Sequence, residues 1–187
     1  YRGMAPRGPA RGLVVATLMV SALLAAPDAR RAAEPLPGLV SPWPAGLSGT
    51  LVFESDVAGR PGLYTLDLAQ GRVARLTGAP DYREQTPRWS PDGRRVLFTS
   101  NRAHYTGARP DTGTPDFDVW SVAADGSDPR RLTSAPANEQ DAAWTADGAS
   151  VVYSSDGDSR GDLYRLELAS GTVSRVTRHF VGRAIMP

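Results

Sequence analysis

The sequence predicts an all-β protein made of β-propeller blades. Three observations carry this prediction: a turn followed by an apolar run recurs along the chain, each copy leads into an alternating strand, and each ends on Arg-Leu-Thr or Arg-Val-Thr. A repeat of about 45 residues with four short strands has the size of one propeller blade. We therefore expect about three blades of four antiparallel strands each, from a ring that closes with roughly four to eight blades.

The turn is clearest at residues 89–101, where Trp-Ser-Pro-Asp-Gly precedes Arg-Arg-Val-Leu-Phe-Thr-Ser-Asn. Proline sets φ to about −65° at the second turn position, aspartate bonds its own backbone and glycine accepts a positive φ. The β-branched and aromatic run that follows predicts a buried strand. The unit returns at residues 144–156, and a weaker copy without Asp-Gly stands at residues 49–56. Asp92 and Asp147 are therefore predicted to be turn residues.

Each copy continues into a second pair of strands. One of these alternates apolar with polar side chains in every copy, at residues 63–68, 119–124 and 163–168. A turn and a closing segment follow, which places the three blades at about residues 43–77, 85–133 and 140–177. We expect the large aromatic side chains of the repeat to pack between neighbouring blades: Trp89, Trp144 and Tyr153.

The N-terminal residues predict an exported protein. Residues 1–29 combine a basic start with an uncharged run from Leu13 to Ala26, which is 26 − 13 + 1 = 14 residues long. That length suits the core of a signal peptide and is short for a membrane span, although an uncleaved anchor is an alternative. Residues 30–48 form a Pro-rich linker, and residues 49–187 form the partial propeller. We expect a periplasmic or secreted protein with no membrane insertion beyond the leader.

Composition argues against several classes of function. The formal net charge is +1 and the arginines are spread over the repeats, so we expect no nucleic-acid partner. With no cysteine, two histidines and no Gly-x-Ser-x-Gly, the chain offers no thiolate, metal cluster or hydrolase triad. Residues 156–162 space their aspartates like the start of a calcium loop but lack its bidentate glutamate, so a solvated turn is favoured. We expect no cofactor, no metal and no enzyme activity.

One connection is longer than its counterparts in the other repeats. Between the second and third strands, blades one and three have residues 57–61 and 157–161, whereas blade two has residues 102–117, an excess of 16 − 5 = 11 residues. Long loops on a rigid scaffold are where binding residues concentrate. The candidate partner-binding residues are the non-repeated polar residues of this loop: His104, Tyr105, Arg109 and Asp111. His179 in the tail is a further candidate.

The series Trp-Ser-Pro-Asp-Gly, Val-Leu-Phe-Thr-Ser-Asn, Val-Trp-Ser-Val and Arg-Arg-Leu-Thr in blade two resembles the WD-like propeller repeat of the TolB family. The resemblance covers about residues 43–187 and implies a six-bladed ring that lies in the periplasm, binds protein partners and catalyses nothing. The chain departs from TolB because only a short linker, and no α/β domain, separates the leader from blade one. A TolB-like binding protein is therefore expected rather than TolB itself.

Similar blades also occur in other classes of protein. The main alternative is the propeller domain of an exported prolyl oligopeptidase-type serine peptidase whose catalytic domain lies beyond residue 187, and a polysaccharide-binding or lyase propeller is a third class.

The repeat spacing predicts further blades. Trp89 follows Thr77 by 12 residues and Trp144 follows Thr133 by 11, so the next tryptophan is due at 177 + 11 = 188 or at 189.

Overall fold

A computed structural model describes residues 44–56, 61–78, 82–104, 116–157 and 161–178. The predicted leader, most of the predicted linker and Trp43 lie outside the described residues. The described chain consists of strands and turns, with one short 3-10 turn at Arg102–His104. It contains no helix with the length and apolar character that crossing a bilayer requires.

The described ranges contain eleven strands, which form three antiparallel sheets in chain order. Blade one holds β1 (Thr50–Ser55), β2 (Gly62–Asp67) and β3 (Arg72–Arg75). Blade two holds β4 (Glu84–Trp89), β5 (Arg95–Ser100), β6 (Asp118–Ala123) and β7 (Arg130–Arg131). Blade three holds β8 (Glu139–Trp144), β9 (Ser150–Ser155), β10 (Asp162–Glu167) and β11 (Val173–Arg175). Blades two and three are thus four-stranded meanders, and the stretch of blade one that corresponds to β4 falls outside the described residues.

The two turns between the first and second strands have the predicted geometry. In blade two the Ser90 hydroxyl donates to Asp92 Oδ1 at 2.7 Å, and the same carboxylate oxygen accepts the Arg94 amide at 3.1 Å. Thr145 and Asp147 make the equivalent bonds in blade three, at 2.5 Å to the hydroxyl and 3.0 Å to the Ala149 amide. These hydrogen bonds hold the pKa of both aspartates below the usual range. The glycine after each aspartate has a φ of 69°.

The first strands of blades two and three carry the same irregularity. The register shifts between Gln85 and Arg88 in β4, and between Gln140 and Ala143 in β8. Thr86 and Asp141 occupy the two bulges with a φ of 52° each, in the left-handed region. A positive φ is costly for a β-branched residue such as Thr86. Because the same backbone conformation recurs at Asp141, the bulge is a regular feature of these blades.

Two apolar clusters lie between the sheets. Leu63 and Leu76 of blade one meet a group from blade two that comprises Trp89, Val96, Phe98 and Val122. Leu97 and Val119 of blade two meet a group from blade three that comprises Ala142, Val151, Tyr153 and Leu166, with Trp144 packed against it. Trp89, Trp144 and Tyr153 therefore pack between blades, as predicted. One face of blade two contacts blade one, and its other face contacts blade three.

Candidate functional site

The long loop (residues 102–117) is fixed to the blades at its start. Asn101, which is buried, accepts the Arg83 amide through Oδ1 at 2.7 Å. The Arg102 amide donates to the Ser100 hydroxyl at 3.2 Å, and the His104 amide donates to the Asn101 carbonyl at 3.0 Å. The first three residues of the loop therefore form a 3-10 turn that continues from a buried strand end.

The far end of the loop is fixed to the next blade. The Phe117 amide donates to Asn138 Oδ1 at 3.3 Å, and the Phe117 carbonyl accepts the Glu139 amide at 2.8 Å. The Phe117 side chain is buried. Both ends of the loop are thus held by residues of the blade frame, one in blade two and one at the entrance to blade three.

Arg102, the first residue of the loop, lies between blades one and two. Its guanidinium pairs with the fully buried carboxylate of Glu84. Its Cζ lies 4.7 Å from the ring centroid of Trp120, 5.1 Å from that of Tyr82 and 5.3 Å from that of Phe98. A guanidinium with a carboxylate and three aromatic rings around it is held by charge-assisted hydrogen bonding and by cation–π attraction.

His104, the third residue of the loop, contacts a buried ion pair of blade two. The carboxylate of Asp118 is fully buried and accepts from Arg131 through Oδ1 at 2.8 Å. Its Oδ2 lies 3.1 Å from His104 Nε2, and the Arg131 guanidinium lies 3.3 Å from the same ring nitrogen. His104 remains about a third exposed, with 34% of its side chain accessible. The His104 imidazole at the start of the loop is therefore in contact with the buried carboxylate of Asp118 and is also accessible to solvent.

Glu139 lies beside this ion pair at the start of β8. The Thr133 hydroxyl accepts the Val119 amide at 2.9 Å, and its side chain hydrogen-bonds to the Glu139 carboxylate. Burial, together with the negative charge of Asp118, raises the pKa of Glu139 to about 7 despite the opposing effect of Thr133 and Arg131. Among the described residues, Oε2 of Glu139 has no hydrogen-bond partner.

A similar ion pair recurs in blade three and is altered in blade one. Asp162 is fully buried, pairs with Arg175 and accepts the Thr177 hydroxyl at 2.8 Å. Blade one has Gly62 at the position of this aspartate, and Arg75 donates to the Pro61 carbonyl at 3.2 Å. The sequence did not indicate a role for Asp118, and it favoured a solvated turn for the stretch that includes Asp162, which is wrong for that residue because its carboxylate is buried and paired. The signal that could have found them is the Asp that stands two residues before the aromatic residue of the third strand in two of the three repeats.

The structure places only part of the candidate set from the sequence. His104 lies at the ion pair of Asp118 and Arg131, whereas Tyr105, Arg109, Asp111 and His179 lie outside the described residues. Arg102 and Glu139 were not proposed from the sequence. Their importance depends on contacts across a blade interface, which no local spacing reveals.

Two of the three aspartates of the calcium-like stretch are engaged in protein contacts, and the third, Asp158, lies outside the described residues. Asp156 accepts the Asn138 amide at 2.8 Å and its side-chain amide at 3.0 Å. Asp162 pairs with Arg175 and Thr177. The described residues hold no group of three or more His, Asp or Glu side chains that could bind a metal ion.

Comparison with known proteins places these blades among solved propellers. No family model matches the sequence. The structure of TolB from Acinetobacter baumannii is 21% identical, with a TM-score of 0.55 over 71% of this chain and 30% of that one. A putative TolB from Agrobacterium tumefaciens is 21% identical, with a TM-score of 0.57 over 68% of this chain and 45% of that one.

An enzyme is also among the similar structures. A puromycin hydrolase complexed with PGG is 20% identical, with a TM-score of 0.50 over 70% of this chain and 21% of that one. The chain therefore matches less than half the length of each of these three proteins. Together with the sheets described above, the similarities confirm the predicted TolB-like β-propeller fold.

Proposed function

We propose that the chain is the propeller segment of an exported, non-catalytic TolB-like protein that binds protein partners through the long loop. The observation that carries this proposal is the fixation of both loop ends, by Arg102 and His104 at the start and by Phe117 at the end. The leader predicted at residues 1–29 supports export to the periplasm.

A loop with fixed ends suits binding for a physical reason. Association costs free energy for every segment that must be ordered, and a loop whose ends are already held needs less ordering when a partner binds. Binding residues are found on such loops because the scaffold positions them without constraining their sequence. Two described residues of the loop contact buried carboxylates, and the side chain of His104 is 34% exposed whereas that of Arg102 is 16% exposed. His104 is therefore the first candidate for contact with a partner.

The test compares the native loop with a shortened one. In the full-length protein, Arg102 and Phe117 are kept and residues 103–116 are shortened, so that the whole connection from residue 102 to residue 117 has the length found in blade three. A photo-crosslinking residue at Ala103 in the native loop, and at the matching point in the short loop, identifies the partner in the cell envelope. We expect the crosslinked partner, and its measured affinity in purified form, to be lost when the loop is shortened while the melting temperature is retained.

The control is a variant in which the connection at residues 57–61 of blade one is rewritten with glycine and serine at constant length. This variant should bind the partner as the native protein does. Equal affinity of the native and shortened-loop proteins for the purified partner would overturn the proposal, because the loop would then contribute no binding energy.

A second function, the propeller of a serine peptidase, is supported by the similarity to the puromycin hydrolase. In such an enzyme the blades would control access to a hydrolase domain. A fluorophosphonate probe, which reacts with activated serines, distinguishes the two functions when it is applied to the full-length protein. Stoichiometric labelling of a serine in a Gly-x-Ser-x-Gly sequence outside the blades would overturn the non-catalytic proposal, and absence of labelling in a folded full-length protein would oppose the peptidase.

A further inference from the structure

Glu84 and Glu139 occupy equivalent positions at two neighbouring blade interfaces. Each is the first residue of the first strand in its sheet, and each is almost completely buried. Each glutamate is contacted by the threonine that ends the preceding blade. Thr77 donates to Glu84 Oε2 at 2.5 Å, and Thr133 hydrogen-bonds to Glu139. The two carboxylates therefore face the same kind of surroundings on this side.

The surroundings differ on the other side. Arg102 follows the end of β5 by two residues, and the residue two places after the end of β9 is Gly157. Tyr82 precedes Glu84 by two residues, and Ala137 precedes Glu139 by two. The arginine and one of its three aromatic contacts at the first interface are thus replaced by glycine and alanine at the second. Glu139 Oε2 is left without a hydrogen-bond partner among the described residues.

The remaining aromatic positions are kept. Tyr153 and Tyr164 stand where Phe98 and Trp120 stand in blade two, and their ring centroids lie 6.0 Å apart with an angle of 24° between the planes. The guanidinium carbon of Arg175 lies 6.0 Å from the ring centroid of Tyr164. Burial raises the pKa of the Tyr153 hydroxyl to about 12, and the charge of the neighbouring Glu139 adds to this rise. A buried carboxylate with aromatic neighbours is the environment that Arg102 occupies at the first interface.

We propose that Glu139 binds the guanidinium group of an arginine side chain that a protein partner inserts between blades two and three. This inference rests on the proposed protein-binding function and names the chemistry of the partner residue. Arg102 shows within the same molecule that a guanidinium fits a blade interface of this design. Arginine suits the position better than lysine because its planar group can bond a carboxylate and stack on rings at the same time.

Ionisation of Glu139 must accompany the binding. Its carboxylate faces Asp118 and Arg131 from blade two, Thr133 from the end of that blade, and Tyr153 from its own sheet. Because its pKa lies at about 7, part of the population carries a proton at neutral pH, and an incoming cation favours the charged form. Binding should therefore strengthen as the pH rises through about 7.

The test uses ethylguanidinium as a probe and the full chain with carbon-13 at the glutamate carboxyl carbons. At pH 8 we expect a saturable shift of the Glu139 carboxyl resonance and a downward shift of its titration midpoint. Glu139→Gln should abolish saturable binding, measured by the Tyr153 ring signals. Glu167→Gln removes an exposed glutamate of the same blade and should bind as the native protein does.

A second variant occupies the proposed site from within. Gly157→Arg places a guanidinium at the position equivalent to Arg102 and should block the probe although Glu139 is intact. A Cβ at residue 157 would lie 3.3 Å from the Ala137 Cβ, so this variant requires a displacement of a few tenths of an ångström. If it fails to fold, Glu139→Gln alone decides the question. Absence of saturable binding in the native chain, or equal binding in Glu139→Gln, would overturn the inference.

The loop-shortened protein separates this inference from the proposed function. It should bind ethylguanidinium as the native chain does, because Glu139 lies outside the replaced segment. Loss of partner binding with retention of probe binding would support both proposals. Retention of partner binding in the shortened protein would overturn the role of the loop and leave the Glu139 site standing, and a partner fragment whose arginines are replaced by lysine would then test the site alone.

Discussion

At the interface between blades one and two, Glu84 meets Thr77 and the guanidinium of Arg102. Between blades two and three Glu139 meets Thr133 and, within the part of the chain that the structure describes, no cation at the equivalent place. The apolar clusters at the two interfaces are built alike from strands of neighbouring sheets. The polar groups at the rim therefore distinguish the interfaces. Both carboxylate oxygens of Glu84 are hydrogen-bonded, whereas Oε2 of Glu139 has no partner among the described side chains and backbone groups.

The long loop also takes part in the first interface. Arg102 is both the first residue of the loop and the counter-ion of Glu84, so the loop forms part of the contact between blades one and two. Blade three has a short connection at this point and supplies glycine. The cation is thus present where the connection is long.

The largest expected effect comes from removing the cation at the first interface. Arg102→Ala leaves Glu84 buried without its counter-ion, and breaking a buried pair in this way costs about 3 kcal/mol of unfolding free energy. Urea unfolding of the native and variant chains measures the difference. Arg94→Ala, which removes an arginine whose side chain is 85% exposed, is the matched control and should change stability by less than about 0.5 kcal/mol.

Glu84→Gln on the Arg102→Ala background should restore part of the loss, because the amide carries no charge to be buried. An Arg102→Ala variant as stable as the Arg94→Ala control would show that the guanidinium contributes nothing at this interface.

The second expected effect is a pH dependence that arises at the second interface. Burial raises the pKa of Glu139 from its usual 4.5 to about 7, so the folded chain binds this proton more tightly than the unfolded chain does. The contribution of Glu139 to stability is fully present below about pH 4.5 and is lost as the pH rises to about 7, by up to ~3 kcal/mol. Chemical unfolding across this range measures the slope.

Glu139→Gln should flatten this slope and raise stability at pH 8 relative to the native chain, because the amide keeps an acceptor for Thr133 without a charge. Glu167→Gln should leave the slope unchanged. If the native chain and Glu139→Gln show the same dependence of stability on pH between pH 5 and 8, the pKa of Glu139 is not raised at the second interface.

A smaller effect is expected at the turns, where the two blades are alike. Ser90→Ala and Thr145→Ala each remove a hydroxyl that bonds the turn aspartate and accepts a backbone amide, at 2.9 Å in blade two and 3.0 Å in blade three. Each substitution should cost about 1 kcal/mol, measured by thermal unfolding. Costs that differ by more than about 1 kcal/mol would show that the blades diverge in their turns as well as at their interfaces.

The smallest effect is expected at His104. Asp118 keeps its bond to Arg131 when the imidazole is removed, so His104→Ala should cost about 0.5 kcal/mol in urea unfolding. The same variant should weaken partner binding if the loop is the binding element. A stability loss as large as that of Arg102→Ala would instead assign His104 to the frame of the blade.

Much of the fold could be predicted because the repeat depends on the local preferences of neighbouring residues. The Ser-Pro-Asp-Gly turn, the apolar triplet and the alternating third strand each depend on residues close together in sequence. The aromatic residues at Trp89 and Trp144 recur in register with these turns, which was enough to assign them to the interfaces between blades. The candidate site was predicted less completely. The loop was recognised by its length, but the roles of Arg102, Asp118 and Glu139 were not.

The turns, the strand order, the apolar faces and the position of the long loop all follow from the sequence. Which charged side chains meet depends on how the sheets pack. Glu84 and Arg102 are 18 residues apart, and the Glu139 carboxylate lies against side chains of a neighbouring sheet. Local backbone preferences act over a few residues, whereas burial and pairing of a charge depend on which sheets pack together. The same first-strand glutamate is therefore a paired structural ion at one interface and a carboxylate with a raised pKa at the next.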